Sequence, residues 1–264
     1  MLAQENVRFY KINVNQGLSQ SVVTGILQDK KGFFWFATQS GLNRYDGYRI
    51  KNYYYDPRDT NTLSDSKINC LAEDADGILW IGTPNGLNSY NPLIGNFKRY
   101  KFRLFDSNSI SDNFIGDIEV DKNNKVWVLT KRGLNKIDKQ KGVTTRYYFP
   151  PELADKFNNV NDLFIDGEGL FWMAADKAVF ICFNPVSKEF SYFKYKNAFS
   201  EIASVNQIVQ YNKDYLLIAT EDGLRFFNKR ILQFEYPNNY ELSEHYISKK
   251  PISKILKESD GVFF

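Results

Sequence analysis

The sequence predicts an all-β fold, a β-propeller built from four-stranded antiparallel blades, and three observations point to it. The first is a marker. Trp35, Trp80, Trp127 and Trp172 are the only tryptophans among 264 residues; they stand 45, 47 and 45 positions apart, and Leu217 and Phe264 continue the series. The second is that the register holds at other offsets. Six residues before each tryptophan stands Asp29, Asp74, Asp121 or Asp166, and six after the marker stand Gly41, Gly86, Gly133 and Gly223. The third is composition: 22 Phe and 17 Tyr against 2 Met, a balance that favours strands over helices. A unit of four strands recurring every ~45 residues is the signature of a propeller blade.

Taken in order, residues 7–12 (Val-Arg-Phe-Tyr-Lys-Ile) alternate in polarity and match the segment that ends each later repeat, such as Arg49 to Tyr53. They read as an orphan outer strand. The first strand of a repeat, Val23-x-x-Ile26, is apolar on both faces and is expected to be covered on both sides. Asp29-x-x-Gly32 supplies a turn, the aspartate binding its own backbone and the glycine giving a positive φ. The second strand carries Trp35 and ends at Thr38. A short loop, Gln39-Ser40, leads through Gly41 to the third strand, and the Asp46-Gly47 turn leads to an aromatic and basic fourth strand. A polar connection such as Asp56 to Thr62 then opens the next repeat.

The repeats divide as 17–61, 62–108, 109–153, 154–199 and 200–246, with a partial sixth at 247–264. Residues 151–156 are the one helix-like stretch. The fourth repeat has Ala175 for threonine and Ala178 for glycine, with an extra residue in Ala178 to Asn184 that reads as a bulge. The expected architecture is an open arc of five blades and a partial sixth, with unpaired strand edges.

Composition narrows the function. A net charge of +3 from 34 basic and 31 acidic residues scattered along the chain offers no basic stripe for nucleic acid. No run of 18 apolar residues is present, so no membrane span is expected. A single histidine, His245, leaves no histidine-rich metal site, and neither cofactor nor metal is predicted. Cys70 and Cys182 fall in the second and fourth repeats and are expected not to bridge. The pairs Asp74-Ala75-Asp76 and Asp166-Gly167-Glu168 lack the later oxygen ligands of a calcium loop and read as hairpin turns. The marker tryptophans read as packing between adjacent sheets rather than as sugar-stacking platforms.

Ligand candidates are therefore residues that occupy equivalent loops yet vary. Loops between the second and third strands supply Gln39, Ser40, Asn85, Lys131, Arg132, Asp176, Lys177, Glu221 and Asp222. Connections between blades add Asp65 and Asn113. Both sets gather on one face around the hub, where converging polar side chains suit a polyhydroxylated ligand.

The pattern Gly17-Leu18-Ser19, then Val23-x-x-Ile26-x-x-Asp29-x-x-Gly32-x-x-Trp35-x-x-Thr38-x-x-Gly41-Leu42-Asn43-x-Tyr45-Asp46, resembles the two-component regulator propeller repeat of hybrid sensor histidine kinases from polysaccharide-degrading bacteria. The resemblance implies a non-catalytic piece of a seven-bladed propeller on the periplasmic side of the inner membrane. It further implies a parent protein with a second propeller, an immunoglobulin-like domain, a membrane span, a kinase, a receiver and a DNA-binding domain. Such receptors dimerise, sense an oligosaccharide and control glycan-utilisation genes by phosphorelay. A protein-interaction scaffold is the alternative, and a propeller lyase or hydrolase the third.

Overall fold

The structure is a computed structural model that describes residues 10–154, 160–175, 179–194, 204–221, 223–235 and 250–256. Each of the five repeats forms its own sheet of four antiparallel strands, paired in the order of the chain. The first strands are Val23–Gln28, Cys70–Glu73, Ile115–Val120, Val160–Ile165 and Val205–Gln210, and the marker-bearing second strands are Phe34–Thr38, Leu79–Thr83, Val126–Thr130, Phe171–Ala175 and Tyr215–Thr220. Successive first strands are neighbours, so they form the hub. A single turn of helix, Pro151–Ala154, bridges the third and fourth blades.

In the first four blades one aspartate sets the first turn, and in the fifth Asn212 Oδ1 takes that part, accepting from the N–H of Asp214 and Tyr215. Asp29 Oδ1 accepts from the backbone N–H of Lys31 and Phe33, and Gly32 takes φ +87°. In the third blade Asn124 holds that position at φ 58°, which asparagine tolerates. The other carboxylate oxygen accepts the indole N–H six residues on: Trp35 to Asp29 at 2.8 Å, Trp80 to Asp74 at 2.9 Å, Trp127 to Asp121 at 2.9 Å and Trp172 to Asp166 at 3.0 Å. The periodic Asp and Trp are thus one device. The carboxylate shapes the turn and also satisfies the one polar atom of a buried ring.

All four rings are between 1% and 3% exposed, and each meets the next blade. Trp35 lies 5.7 Å from Tyr90 edge to face, Trp127 lies 4.3 Å from Phe171, and Trp172 lies 5.7 Å from Phe227. Trp80 shares a cluster with Val126, Val128 and Ile137 of the third blade.

The hub strands carry a bulge at a recurring position, between Val23 and Gly25, Val160 and Asp162, and Val205 and Gln207. A bulge re-aims a side chain, and here it reaches the next blade. Thr24 Oγ1 donates to Ile68 O and Asn206 Nδ2 to Ile252 O; Asn69 Nδ2 makes the same reach to Ile115 O. One residue further on, Asp117, Asp162 and Gln207 accept from the backbone N–H of Leu163, Ile208 and Ile255. Residues 250–256 therefore lie against the fifth blade as a sixth inner segment would, and Ile255 joins its apolar cluster.

Two expectations need correction, and a third falls partly on residues that are not described. The inner strand of the first blade is not covered on both sides: Ile26 is 65% exposed and Val23 37%, because among the described residues no sheet packs on that flank. The extra residue of the fourth repeat does not bulge its third strand. Pairing runs evenly from Ala174 opposite Phe180 to Phe171 opposite Phe183, so the insertion falls in 176–178, outside the described residues, and Val179 rather than Ala178 takes the glycine position. Of the supposed orphan strand, Tyr10, Lys11 and Ile12 pair with nothing as strand, and residues 7–9 lie outside the described set. His245 and Phe264 lie outside it too.

Candidate functional site

The loops joining second to third strands and those joining blades meet on one face, and a buried hydroxyl–amide network holds them. In the second blade Ser64 Oγ and Thr83 Oγ1 are 2.9 Å apart, Thr83 donates to Gly86 O, and Asn88 receives Ser64 N–H and donates to Ser64 Oγ. The third blade repeats this with Ser111, Thr130 and Asn135, and the first with Ser19, Thr38 and Asn43, except that Asn43 Nδ2 donates to Phe36 O and Gly41 O. The glycines are needed because the backbone is left-handed there: a Cβ on Gly133, at φ +137°, would stand 2.1 Å from Tyr147 O. Blade four has lost the network, since Ala175 and Ile181 replace threonine and asparagine. Thr83→Val keeps the shape but removes the hydroxyl, and should cost about 1–3 kcal/mol in urea unfolding. A change below about 0.5 kcal/mol would show the network to be dispensable.

On this platform the candidates fall into groups. Gln39 and Ser40 are exposed in the first loop, and Ser40 N–H is bound to Thr38 Oγ1. Asn85 donates to Ser64 O and accepts from Lys101 Nζ at 3.0 Å. Asp65 lies close enough to act on Lys101 electrostatically. Burial, then repulsion from Arg99, lowers the Lys101 pKa, and attraction to Asp65 opposes them. Asn113 reaches across from the third blade: its Oδ1 accepts from Phe102 N–H and its backbone carbonyl from Gly86 N–H. Arg132 pairs with Asp112 at 3.6 Å and lies over Phe102, while Lys131 lies over Phe114. Glu221 is exposed with its N–H on Ser204 O. Asp176, Lys177 and Asp222 lie outside the described residues.

The second and third blades thus bring Asp65, Asn85, Asn113, Lys131 and Arg132 to one stretch of surface, joined by Lys101, Asp112, Phe102 and Phe114. Lys101 was not anticipated, because it comes at the end of an outer strand. Its signal was the basic residue after the aromatic run. No group of three or more His, Cys, Asp or Glu able to hold a metal is present among the described residues, and Cys70 and Cys182 are separate thiols. Among the described residues, no helix is long and apolar enough to cross a membrane.

Comparison with known proteins decides what kind of repeat this is. Residues 17–40 and 62–85 match the family described as two component regulator propeller. Two of its repeats are thus of the two-component regulator propeller type. Over 58 residues, 22% of the chain, it is 41% identical to Histidine kinase P4 of Formosa agariphila, of which that stretch is 4%. A solved structure from B. thetaiotaomicron, described as the extracellular domain of hybrid two component system BT3049, is similar over 95% of this chain and 39% of its own, at 25% identity and TM-score 0.59. Virginiamycin B lyase from Staphylococcus aureus, at 15% identity and TM-score 0.61 over 82% of this chain and 70% of its own, shares the fold alone. The chain therefore spans well under half the length of the two-component relatives it matches.

Proposed function

We propose that the chain is the extracytoplasmic ligand-sensing part of a hybrid two-component histidine kinase, and that its ligand is an oligosaccharide. The observation that carries this reading is the regulator propeller repeat combined with similarity along nearly the whole chain to an extracellular domain of that receptor class. The surface of Asp65, Asn85, Asn113, Lys131 and Arg132 supports it, since it sets donors and acceptors beside the Phe102 and Phe114 rings, the mixture that sugar hydroxyls and C–H faces require. In this reading the chain performs no catalysis. Ligand binds one arrangement of paired ectodomains better than another and shifts their populations. The second propeller, an immunoglobulin-like domain and an inner-membrane anchor belong to the parent protein, as do dimerisation and phosphorelay control of glycan-utilisation genes.

Calorimetry with a panel of oligosaccharides tests it. Heat with one sugar, reduced at least tenfold in affinity by Lys131→Ala combined with Arg132→Ala (about 1.4 kcal/mol or more), is the expected outcome. Undiminished binding in that variant would remove the hub face from the proposal. One observation favours the interaction-scaffold alternative: the first blade presents Val22, Val23, Ile26 and Phe34 to solvent as neighbouring apolar side chains, a surface suited to another protein.

A further inference from the structure

The face opposite the hub loops carries the Asp–Trp turns, and the blades tie these turns together in a recurring way. The residue that follows the third strand of a blade reaches back to the turn of the blade before it. Lys139 Nζ lies 3.0 Å from Asp74 Oδ2 and 2.6 Å from Asp76, and Lys229 Nζ lies 2.9 Å from Asp166 Oδ2 and 3.6 Å from Glu168. A second tie binds a turn N–H: Glu73 takes Lys30 N–H, Asn124 takes Ala75 N–H and Gln210 takes Gly167 N–H.

The junction between the third and fourth blades has neither tie. Pro185 stands where Lys139 and Lys229 stand, and Ile165 where Glu73 and Gln210 stand. Among the described residues no hydrogen bond or ion pair joins the Asp121 turn to the fourth blade at this face. The first junction also has a proline, Pro92, but there Lys30 crosses to Asp74 O and Ala75 O, and Asp29 is buried. At the third junction a cavity of about 570 Å³ opens instead. Its lining includes Trp127, Asp121, Glu119, Ile165, Phe171 and Pro185.

Asp121 is the recurring aspartate of its blade, yet it is half-buried where Asp74 and Asp166 are buried. Its bonds are those of the turn and the indole: Asn123 N–H, Lys125 N–H and Trp127 Nε1. In two other blades the carboxylate oxygen that holds the indole also holds an ammonium group.

We propose that this cavity binds a small molecule bearing a primary ammonium group, the ammonium on Asp121 and the carbon body against Ile165, Phe171 and Pro185. The protein itself supplies the precedent for the polar half of the contact in Lys139 on Asp74 and Lys229 on Asp166. A charge-assisted hydrogen bond of this kind is among the stronger ones. Glu119 adds a second carboxyl whose pKa burial pushes up to about 8, with repulsion from Asp117 and Asp162 contributing, so a bound cation would favour its ionised form. Lys122 and Lys136 also line the cavity, Lys136 with its ammonium 5.3 Å from the Trp127 ring. This site is distinct from the hub-face surface and goes beyond the oligosaccharide reading.

Calorimetry and ligand-observed NMR on the purified chain test it with three probes: glucosamine, Nα-acetyl-lysinamide and, as the neutral control, N-acetylglucosamine. Glucosamine or the lysinamide should bind and N-acetylglucosamine should not; a preference between the first two separates an amino sugar from an amino side chain as the source. Asp121→Asn should weaken the amine at least about tenfold. Because that change also touches the turn, Pro185→Lys is the decisive variant. It installs the ammonium of the neighbouring blades, and should abolish amine binding while leaving the melting temperature equal or higher. Unchanged binding in Pro185→Lys, equal binding of N-acetylglucosamine, or no binding of either amine up to about 10 mM overturns the proposal. None of these outcomes bears on the Lys131 and Arg132 experiment.

Discussion

Replacing Asp74 with alanine should lower the unfolding free energy by about 3–5 kcal/mol, the largest effect expected of any single polar residue here. The carboxylate is fully buried. It accepts from Asp76 N–H, Ile78 N–H and Trp80 Nε1, and pairs with Lys139 Nζ. Its removal strands the buried indole N–H of Trp80, worth about 1–3 kcal/mol, together with two part-buried turn N–H groups, which relax in part toward water. Lys139 keeps Asp76, whose pKa its hydrogen bond lowers. Trp80→Phe provides the comparison, since it deletes one donor and retains the turn, and a smaller loss is expected. Urea titration of both variants measures this. A loss below about 1 kcal/mol for Asp74→Ala would mean that the turn and the ring do not depend on one shared carboxylate.

Stability should also fall as pH rises from about 5 to about 8. Burial raises three hub carboxyls: Asp117 to about 6, Asp162 to about 8 and Glu119 to about 8, and mutual repulsion adds to it at Asp162 and Glu119. In the unfolded chain these groups ionise near their ordinary values of about 4. Between those limits the folded state holds more protons than the unfolded state, so each step up in pH favours unfolding. Backbone N–H groups of Leu163 and Ile208, together with Lys254, pull the two aspartates the other way without cancelling burial. Asp162→Asn keeps an acceptor for Ile208 N–H and removes the charge. It should gain about 1–3 kcal/mol at pH 8 and flatten the profile. A wild-type melting temperature that rises steadily from pH 5 to pH 8 would sink this reading of the hub. Below about pH 4 the trend reverses as paired carboxylates protonate. Asp166 is one of these, because hydrogen bonds from Lys229 and Trp172 outweigh its burial.

The fold was legible because each blade repeats the same solution to the same local problem. The Trp, Asp and Gly positions recur at fixed offsets, and each offset corresponds to a turn or to an inter-sheet contact. The link between Asp29 and Trp35 was written in the sequence as a constant separation of six, and reading the aspartate only as a turn residue missed it. What departs from the repeat was harder to place. The insertion in the fourth blade could not be assigned to loop or strand from Ala178 to Asn184 alone, because alanine and valine fit either alignment; only strand pairing distinguishes them. The exposure of Ile26 was invisible for a different reason. An apolar inner strand has the same composition whether or not a neighbouring sheet covers it. The cavity beside Asp121 arises from Pro185 and Ile165, two apolar residues that carry no chemistry of their own and gain meaning only beside Lys139 and Gln210.

The hub contacts also have a direction. Thr24, Asn69, Asp117, Asp162, Asn206 and Gln207 all extend side chains forward, to the backbone of the blade that follows. A chain synthesised from its N-terminus therefore exposes each set of anchors before the segment that docks on it exists, and every new blade meets a template already in place. Growth of the arc is vectorial: a fault in one blade's anchors loosens the joint ahead of it and spares the joint behind.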